Sequence, residues 1–265
     1  MRQLTTAGDV RWLADDLSAE EPLEIRLDGM PLSVTMRTPG ADFDLCVGFL
    51  VTEGIIAGAE DIATMRVCPH AAQTSGEYNV VEVALRASPP QPPPARNFFM
   101  TSSCGVCGKA SIDAVRTISR FRVADDPLTT SAVLLAMLPA RLRAAQRMFE
   151  RTGGVHAAGL FDAAGELVCV REDVGRHNAV DKVVGWAATQ RRLPLASHIV
   201  LVSGRASFEL TQKALMAGIP LLAAVSAPSS LAVALAEECG MTLVGFLRGE
   251  RMNVYTGHHR VLAAR

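Results

Sequence analysis

Apolar and polar positions alternate from Leu23 to Leu27 and again from Leu32 to Met36, on either side of Asp28-Gly29, which predicts a β-hairpin with a tight turn. Between Asp42 and Glu53 the spacing of Leu45, Phe49 and Leu50 is helical, with Gly54 placed as a C-terminal cap. Ile62 to Val67 and Asn79 to Leu85 read as strands. The prolines of Ser88 to Ala95 deny the chain both a ladder and a helix, so an extended connector or surface loop is expected to end a first module there. Helical spacing returns from Ser111 to Ser119 and from Thr130 to Glu150, the second with a bend or break expected at Pro139.

Beyond Glu150 the pattern changes. Val155 to Phe161 and Glu166 to Arg171 read as strands around a turn at Asp162 to Gly165, and Val174 to Thr189 as a helix with Val180, Val183 and Val184 on one side. Two units then repeat one plan of apolar strand, short polar turn, amphipathic helix and glycine cap. The first runs from His198 to Val202 through Ser203-Gly204-Arg205 to Gly218, and the second from Pro220 to Val225 through Ser226-Ala227-Pro228 to Gly240. Met241 to Leu247 adds a further strand. This is the signature of parallel strands joined by right-handed crossovers. The expected fold is α/β: an N-terminal α+β module with a small β-sheet over residues 1–96, a mobile cysteine-motif arm and connector over 97–126, and a layered α/β domain with a mixed sheet over 127–265.

Composition changes this picture little. The chain has 265 residues, 49% of them hydrophobic, which is ample for a buried core, and a net charge of −1, which gives no support for non-specific attraction to nucleic acid or anionic membrane. Met1 to Val10 lacks a basic segment followed by an apolar one, and no apolar run reaches the length of a membrane span, so a soluble cytoplasmic protein is expected. Of the six cysteines, Cys46, Cys68, Cys169 and Cys239 fall in apolar runs, where a thiol behaves as a small hydrophobe. Cys104 and Cys107 differ. They lie in Thr101-Ser102-Ser103-Cys104-Gly105-Val106-Cys107-Gly108-Lys109, where glycines loosen the backbone, and where Lys109 and the amides of a helix starting near Ser111 favour thiolate. Taken alone, the pair suits a nucleophilic thiol, a structural zinc knuckle or an incidental pair in a turn.

Ligands of open α/β sheets collect outside the carboxyl ends of the strands, which here carry Ser203-Gly204-Arg205, Ser226-Ala227-Pro228 and Arg248-Gly249-Glu250-Arg251. Helix-start amides with Arg205, Arg248 and Arg251 suit phosphate oxygens and point to a nucleotide or pyrophosphate pocket; helix capping by serines beside solvated arginines is the plain alternative. Neither a P-loop nor a dinucleotide fingerprint is present. His156 and His177, near Glu172 and Asp173, are expected in this pocket, either moving protons or standing as structural histidines. Leu210, Ala214 and Leu215 read as core, and Asp15-Asp16 with Glu20-Glu21 as a solvated face.

One ordered set of motifs joins these observations: Gly48-Phe49-Leu50 with Glu53-Gly54-Ile55-Ile56, Ser103 to Gly108, Glu172 to Lys182, Ser203 to Ser207, Ala224-Val225-Ser226-Ala227, and Thr242 to Phe246. Over nearly its whole length the chain resembles the formate dehydrogenase accessory sulfurtransferases, the FdhD/NarQ family. The resemblance implies a cytoplasmic protein that takes sulfane sulfur from a cysteine desulfurase and passes it to a molybdenum bis(molybdopterin guanine dinucleotide) cofactor, making the formate dehydrogenase catalytic subunit active. It also implies that the second domain is cytidine-deaminase-like. By position, Cys104 matches the persulfide-bearing cysteine and Cys107 its partner. Phe246, Leu247, Arg248, Gly249, Glu250 and Arg251 match the segment assigned to the cofactor. Ser203, Arg205, Ser226 and His177 are expected to join them, and GDP or another guanine nucleotide to occupy the same place. Monomer and homodimer both stay open.

Three rivals are weighed against this reading. A zinc deaminase requires H-x-E with a later P-C-x-x-C, whereas Ala157-Ala158 follow His156 and the cysteine pair precedes the domain. A structural zinc site in a binding protein would draw on Cys68, His70, Cys104 and Cys107. A thiol-disulfide oxidoreductase would need a strand and helix around its C-x-x-C, which the pattern before Cys104 does not offer.

Overall fold

A computed structural model of the chain describes residues 1–6, 8–68, 79–87 and 119–263. A short exposed hairpin, β1 (Arg2–Leu4) and β2 (Val10–Trp12), precedes the first sheet. That sheet is built from β3 (Glu21–Leu27), β4 (Met30–Arg37), β5 (Ile62–Val67) and β6 (Val80–Leu85) in the order β4-β3-β6-β5. Asp28 and Gly29 both take positive φ, 48° and 84°, the geometry that reverses β3 into β4 as the sequence predicts. Helix α1 (Asp42–Thr52) follows, and Gly54 closes it at φ 74°.

The second module starts with β7 (Thr130–Ser131), α2 (Ala132–Ala145) and α3 (Arg147–Thr152), then β8 (His156–Phe161), β9 (Leu167–Asp173) and α4 (Arg176–Thr189). The repeated units supply β10 (Ile199–Val202), α5 (Phe208–Met216), β11 (Leu221–Ala224) and α6 (Ser230–Glu238). The chain finishes with β12 (Thr242–Arg248), β13 (Arg251–Thr256) and β14 (Val261–Leu262), the last paired in parallel with β7. The large sheet has the order β13-β12-β11-β10-β8-β9, with β10, β11 and β12 parallel and the other neighbours antiparallel. The mixed α/β architecture and the parallel crossover units are those the sequence predicts.

Strand alternation divides the large sheet into two apolar faces. Ala158, Leu160, Val200 and Val202 face one way and join a cluster that runs continuously through Val180 and Val184 to Leu50, Val81 and Ile25 of the first module. Ala157, Ile199, Leu201 and Leu247 face the other way, against Leu135, Leu138 and Leu142 of α2. Helices α1 and α4 meet backbone to backbone: a Cβ on Gly48 would overlap the Asp181 carbonyl oxygen, and one on Gly185 that of Asp44. Only glycine permits so close a crossing.

Two expectations are corrected here. The break in the 130–150 helical stretch falls at Gln146 (φ −81°, ψ 78°), while Pro139 lies inside α2. Proline removes one backbone hydrogen bond, but burial of Leu135, Leu138 and Leu142 holds the helix to the sheet on both sides of it. After Gln146 the Glu172 carboxylate accepts from the amides of Met148 and Phe149, both at 2.8 Å, and so caps α3 from another strand. Glu21, expected on a solvated face, accepts from the buried Arg37 at 3.1 Å. The proline connector Ser88 to Ala95, the Thr101 to Lys109 motif, the 111–118 part of a predicted helix and His70 lie outside the described residues.

Candidate functional site

The strand ends of the large sheet are tied into one another by backbone hydrogen bonds. Ser226 N–H donates to Gly204 O at 3.3 Å, Phe246 N–H to Ser226 O at 3.1 Å, and Ser229 N–H to Ala206 O at 2.9 Å. The three turns singled out in the sequence are therefore adjacent. Ser203 is spent locally, its hydroxyl accepting from Ala157 N–H at 2.9 Å, and Arg248 Nε donates to Val225 O at 2.8 Å. Arg205, Glu250 and Arg251 are exposed, and Gly249 takes a positive φ of 53° at the β12–β13 turn. Phe246, also at positive φ, is exposed at the same sheet edge. Leu247 is the exception. It is fully buried in the α2-side core, so only its backbone could reach a ligand.

The start of α4 meets this edge. Asp173 is wholly buried and fully engaged: it pairs with Lys182 at 2.7 Å and accepts from Thr38 N–H, Gly175 N–H and Asn178 Nδ2. With Glu172 capping α3, neither carboxylate is hydrogen-bonded to a histidine, and the proton relay considered for them is not the arrangement found. His177 instead faces α5, with Nε2 3.4 Å from Ser207 Oγ and 3.9 Å from Glu209 Oε2. Burial, with the nearby charges of Arg176 and Lys213, lowers its pKa to about 4. His156 is lowered by burial and by Arg176. Both imidazoles are neutral near pH 7.

Arg176 stands between them without a partner. Its Nε is buried and has no hydrogen bond, and its guanidinium makes no ion pair among the described residues. A Cβ at Gly204 would stand 3.5 Å from His156 Nδ1 and 3.9 Å from Arg176 Cδ, so both side chains pass over this glycine. An unpaired guanidinium at a helix N-terminus, flanked by neutral imidazoles, favours an anion. Elsewhere, burial pushes the Cys46 thiol up, and that of Cys169 up to about 11, which leaves both as poor nucleophiles. Cys104 and Cys107 lie outside the described residues.

This edge carries Glu172 to Lys182, Ser203 to Ser207 and Thr242 to Phe246, and all three lie within residues 18–262, which match the FdhD/NarQ family. The chain belongs to the FdhD/NarQ family. The sulfur carrier protein FdhD of Mycolicibacterium paratuberculosis is 58% identical over 259 residues, covering 97% of this chain and 95% of the relative. That of Streptomyces coelicolor is 61% identical over 258 residues, covering 96% and 92%. Among solved structures, a Desulfotalea psychrophila protein provisionally described as a formate dehydrogenase accessory protein superposes with a TM-score of 0.74 at 26% identity, covering 99% of this chain and 97% of that one.

In this FdhD/NarQ family chain, a cavity of about 540 Å³ opens beside the strand ends on the α2 side, with Leu142, Gln146, Phe149, His156, Ser203 and Val225 in its wall. Of these, the sequence pointed to His156 and Ser203. Gln146 and Arg176 were missed. Arg176 lies inside the Glu172 to Lys182 motif, and the one signal for it is a cation at the first position of a helix, where the dipole disfavours it. Among the described residues no group of three or more His, Cys, Asp or Glu could hold a metal ion, and no helix is long and apolar enough to cross a membrane.

Proposed function

We propose that this chain is a cytoplasmic sulfurtransferase of formate dehydrogenase maturation that carries sulfur as a persulfide on Cys104. The observation that carries the reading is its 58% identity, over 97% of the chain, to a relative named sulfur carrier protein FdhD. In the first step the Cys104 thiolate attacks the outer sulfur of a cysteine desulfurase persulfide, forming Cys104–S–SH and releasing the desulfurase thiolate. In the second, the Cys107 thiolate attacks the inner sulfur. A Cys104–Cys107 disulfide forms, the two thiols supply two electrons, and the outer sulfur leaves as hydrosulfide for the molybdenum of the bis(molybdopterin guanine dinucleotide) cofactor, the substrate of the transfer.

The strand-end crevice supports the cofactor half of this reading. Arg176, Arg205 and Arg251 are cations without ion pairs among the described residues, set around helix-start amides, which suits the pyrophosphates of such a cofactor or of GDP. The second module, a mixed sheet between α2 on one face and α4, α5 and α6 on the other, supports a cytidine-deaminase-like layering. The test of the function is mass spectrometry after incubation with a cysteine desulfurase and cysteine. One added sulfur mapped to Cys104 is expected, together with loss of formate dehydrogenase activation in a folded Cys104→Ala variant. Normal activation by that variant would refute the role.

A further inference from the structure

A surface helix normally buries one apolar side and turns charged residues to water on the other. Helix α2 does not. Leu135, Leu138 and Leu142 make its buried side, and the positions opposite them hold Val133, Met137, Ala140 and Ala144, at the alternating four- and three-residue spacing of a helix-packing seam. Val133 is 57% exposed and Met137 47%, and both alanines are exposed as well. Leu262, in register with Ser131 just before the helix, extends the strip and is 53% exposed. A helix that is apolar on every side is a helix that is covered on every side, yet in the single chain this strip faces solvent.

Charge selects the occupant. Between Asp126 and Glu150 the chain carries Arg141, Arg143 and Arg147 and no acidic residue. Helical spacing sets Arg141 and Arg143 on opposite flanks of the strip. Arg141 is engaged by the Glu166 carboxylate at 2.9 Å and by the Gly165 carbonyl. Arg143 lies over the Phe149 ring, 4.7 Å from its centroid, a contact that leaves its charge in place, and neither Arg143 nor Arg147 makes an ion pair among the described residues. A second copy of α2 laid on the strip would set these arginines against their own kind, with no acid on either helix to offset them. We infer that the outer face of α2 docks an acidic amphipathic helix of a partner protein. Its apolar seam packs between Val133, Met137, Ala140 and Ala144, and its flanking carboxylates meet Arg143 and Arg147. The two alanines let a second helix approach closely. Arg143 also belongs to the cavity wall, so a helix docked here stands beside the strand-end cavity.

The probe is a labelled helical peptide with leucine and alanine along its seam and glutamate on both flanks, and its control carries lysine on the flanks instead. Fluorescence anisotropy measures the binding of each to the full chain. Wild type is expected to bind the glutamate peptide at least tenfold more tightly than the lysine peptide, and to lose part of that preference as ionic strength rises. Met137→Glu places a carboxylate in the middle of the strip without touching the core, and is expected to weaken the glutamate peptide tenfold or more. Arg143→Gln is expected to reduce the preference for glutamate over lysine. If Met137→Glu does not fold, Met137→Gln takes its place, with a smaller loss in the same direction. Equal affinity for the two peptides, or wild-type affinity of the Met137 variant for the glutamate peptide, overturns the inference. So does failure of the glutamate peptide to bind wild type, and sedimentation velocity then names the alternative, since a dimer that Met137→Glu dissociates assigns the strip to a second copy of the chain.

Discussion

The Lys213 ammonium lies 2.9 Å from the Asp181 carboxylate, with 3% of either side chain exposed. Thr52 joins them, its hydroxyl donating to Asp181 at 2.7 Å and accepting from Lys213 at 2.9 Å, so α1, α4 and α5 share one buried polar knot. Burial alone would lower the lysine pKa, but the carboxylates of Asp181 and Glu53 hold it above its ordinary value. Breaking one side of such a pair strands the other charge. Lys213→Met is therefore expected to cost about 3–5 kcal/mol in urea unfolding, and the double variant Lys213→Met with Asp181→Leu to cost less than Lys213→Met alone. Additive losses would show that the pair is not coupled.

The crossing of α1 and α4 gives a second stability prediction. Gly48→Ala inserts a methyl group into the Asp181 carbonyl, and Gly185→Ala inserts one into that of Asp44. Neither neighbour is a flexible side-chain end, so the helices must part and the contiguous core between the two modules must loosen. Each substitution is expected to cost about 3 kcal/mol in chemical unfolding, at the upper end for overpacked sites. Gly153→Ala provides the contrast. A Cβ there meets no atom within 4 Å, and the cost is confined to its positive φ of 65°.

Most elements were legible because their signals are local. Asp28-Gly29 supplies its own turn, and Gly218 and Gly240, both at positive φ, end their own helices. The repeated strand-turn-helix plan needs only period and punctuation to be read. What escaped depends on partners distant in sequence. The helix break at Gln146 is completed by Glu172, on another strand, and Pro139 drew the prediction to itself because proline is a local signal whose penalty is offset here by burial. The short strand at Thr130–Ser131 exists through Val261–Leu262, and Arg260, fully buried, is held by the carbonyls of Gly240, Val123 and Ala124. The site divided in the same way. The strand-end turns were visible as motifs, while the cavity wall, drawn from α2, α3, β8, the segment before β8 and the turns that hold Val174, Ser203 and Val225, has no contiguous sequence to carry it.

The neutral state of His177 makes stability depend on pH. The imidazole titrates at about 4 in the fold and near 6.5 in the unfolded chain, because burial, then Arg176 and Lys213, penalise its charged form. Between those values the unfolded chain binds the proton first, so stability is full above pH 6.5 and falls as the pH drops towards 4, by at most about 3 kcal/mol. His156, also lowered, acts in the same direction. His177→Gln is expected to flatten the dependence of unfolding free energy on pH across that window. A slope identical to wild type would assign the acid sensitivity to other groups.

Arg176 and Arg205 separate a built anion site from a merely positive surface. Arg205 is exposed, and an exposed charge attracts a phosphate through screening water, worth under about 1 kcal/mol. Arg176 has a buried Nε without a partner, at the start of a 14-residue helix whose Gly175 cap offers no side chain. An anion bound there gains a charged hydrogen bond with little competition from solvent, and it relieves the unsatisfied donor. Arg176→Ala is therefore expected to weaken GDP binding by about 1.5–3 kcal/mol, and Arg205→Ala by less. Salt distinguishes them further, since raising ionic strength should erase most of the Arg205 effect and little of the Arg176 effect. Equal losses with equal salt dependence would place the phosphates at the exposed turns and remove Arg176 from the site.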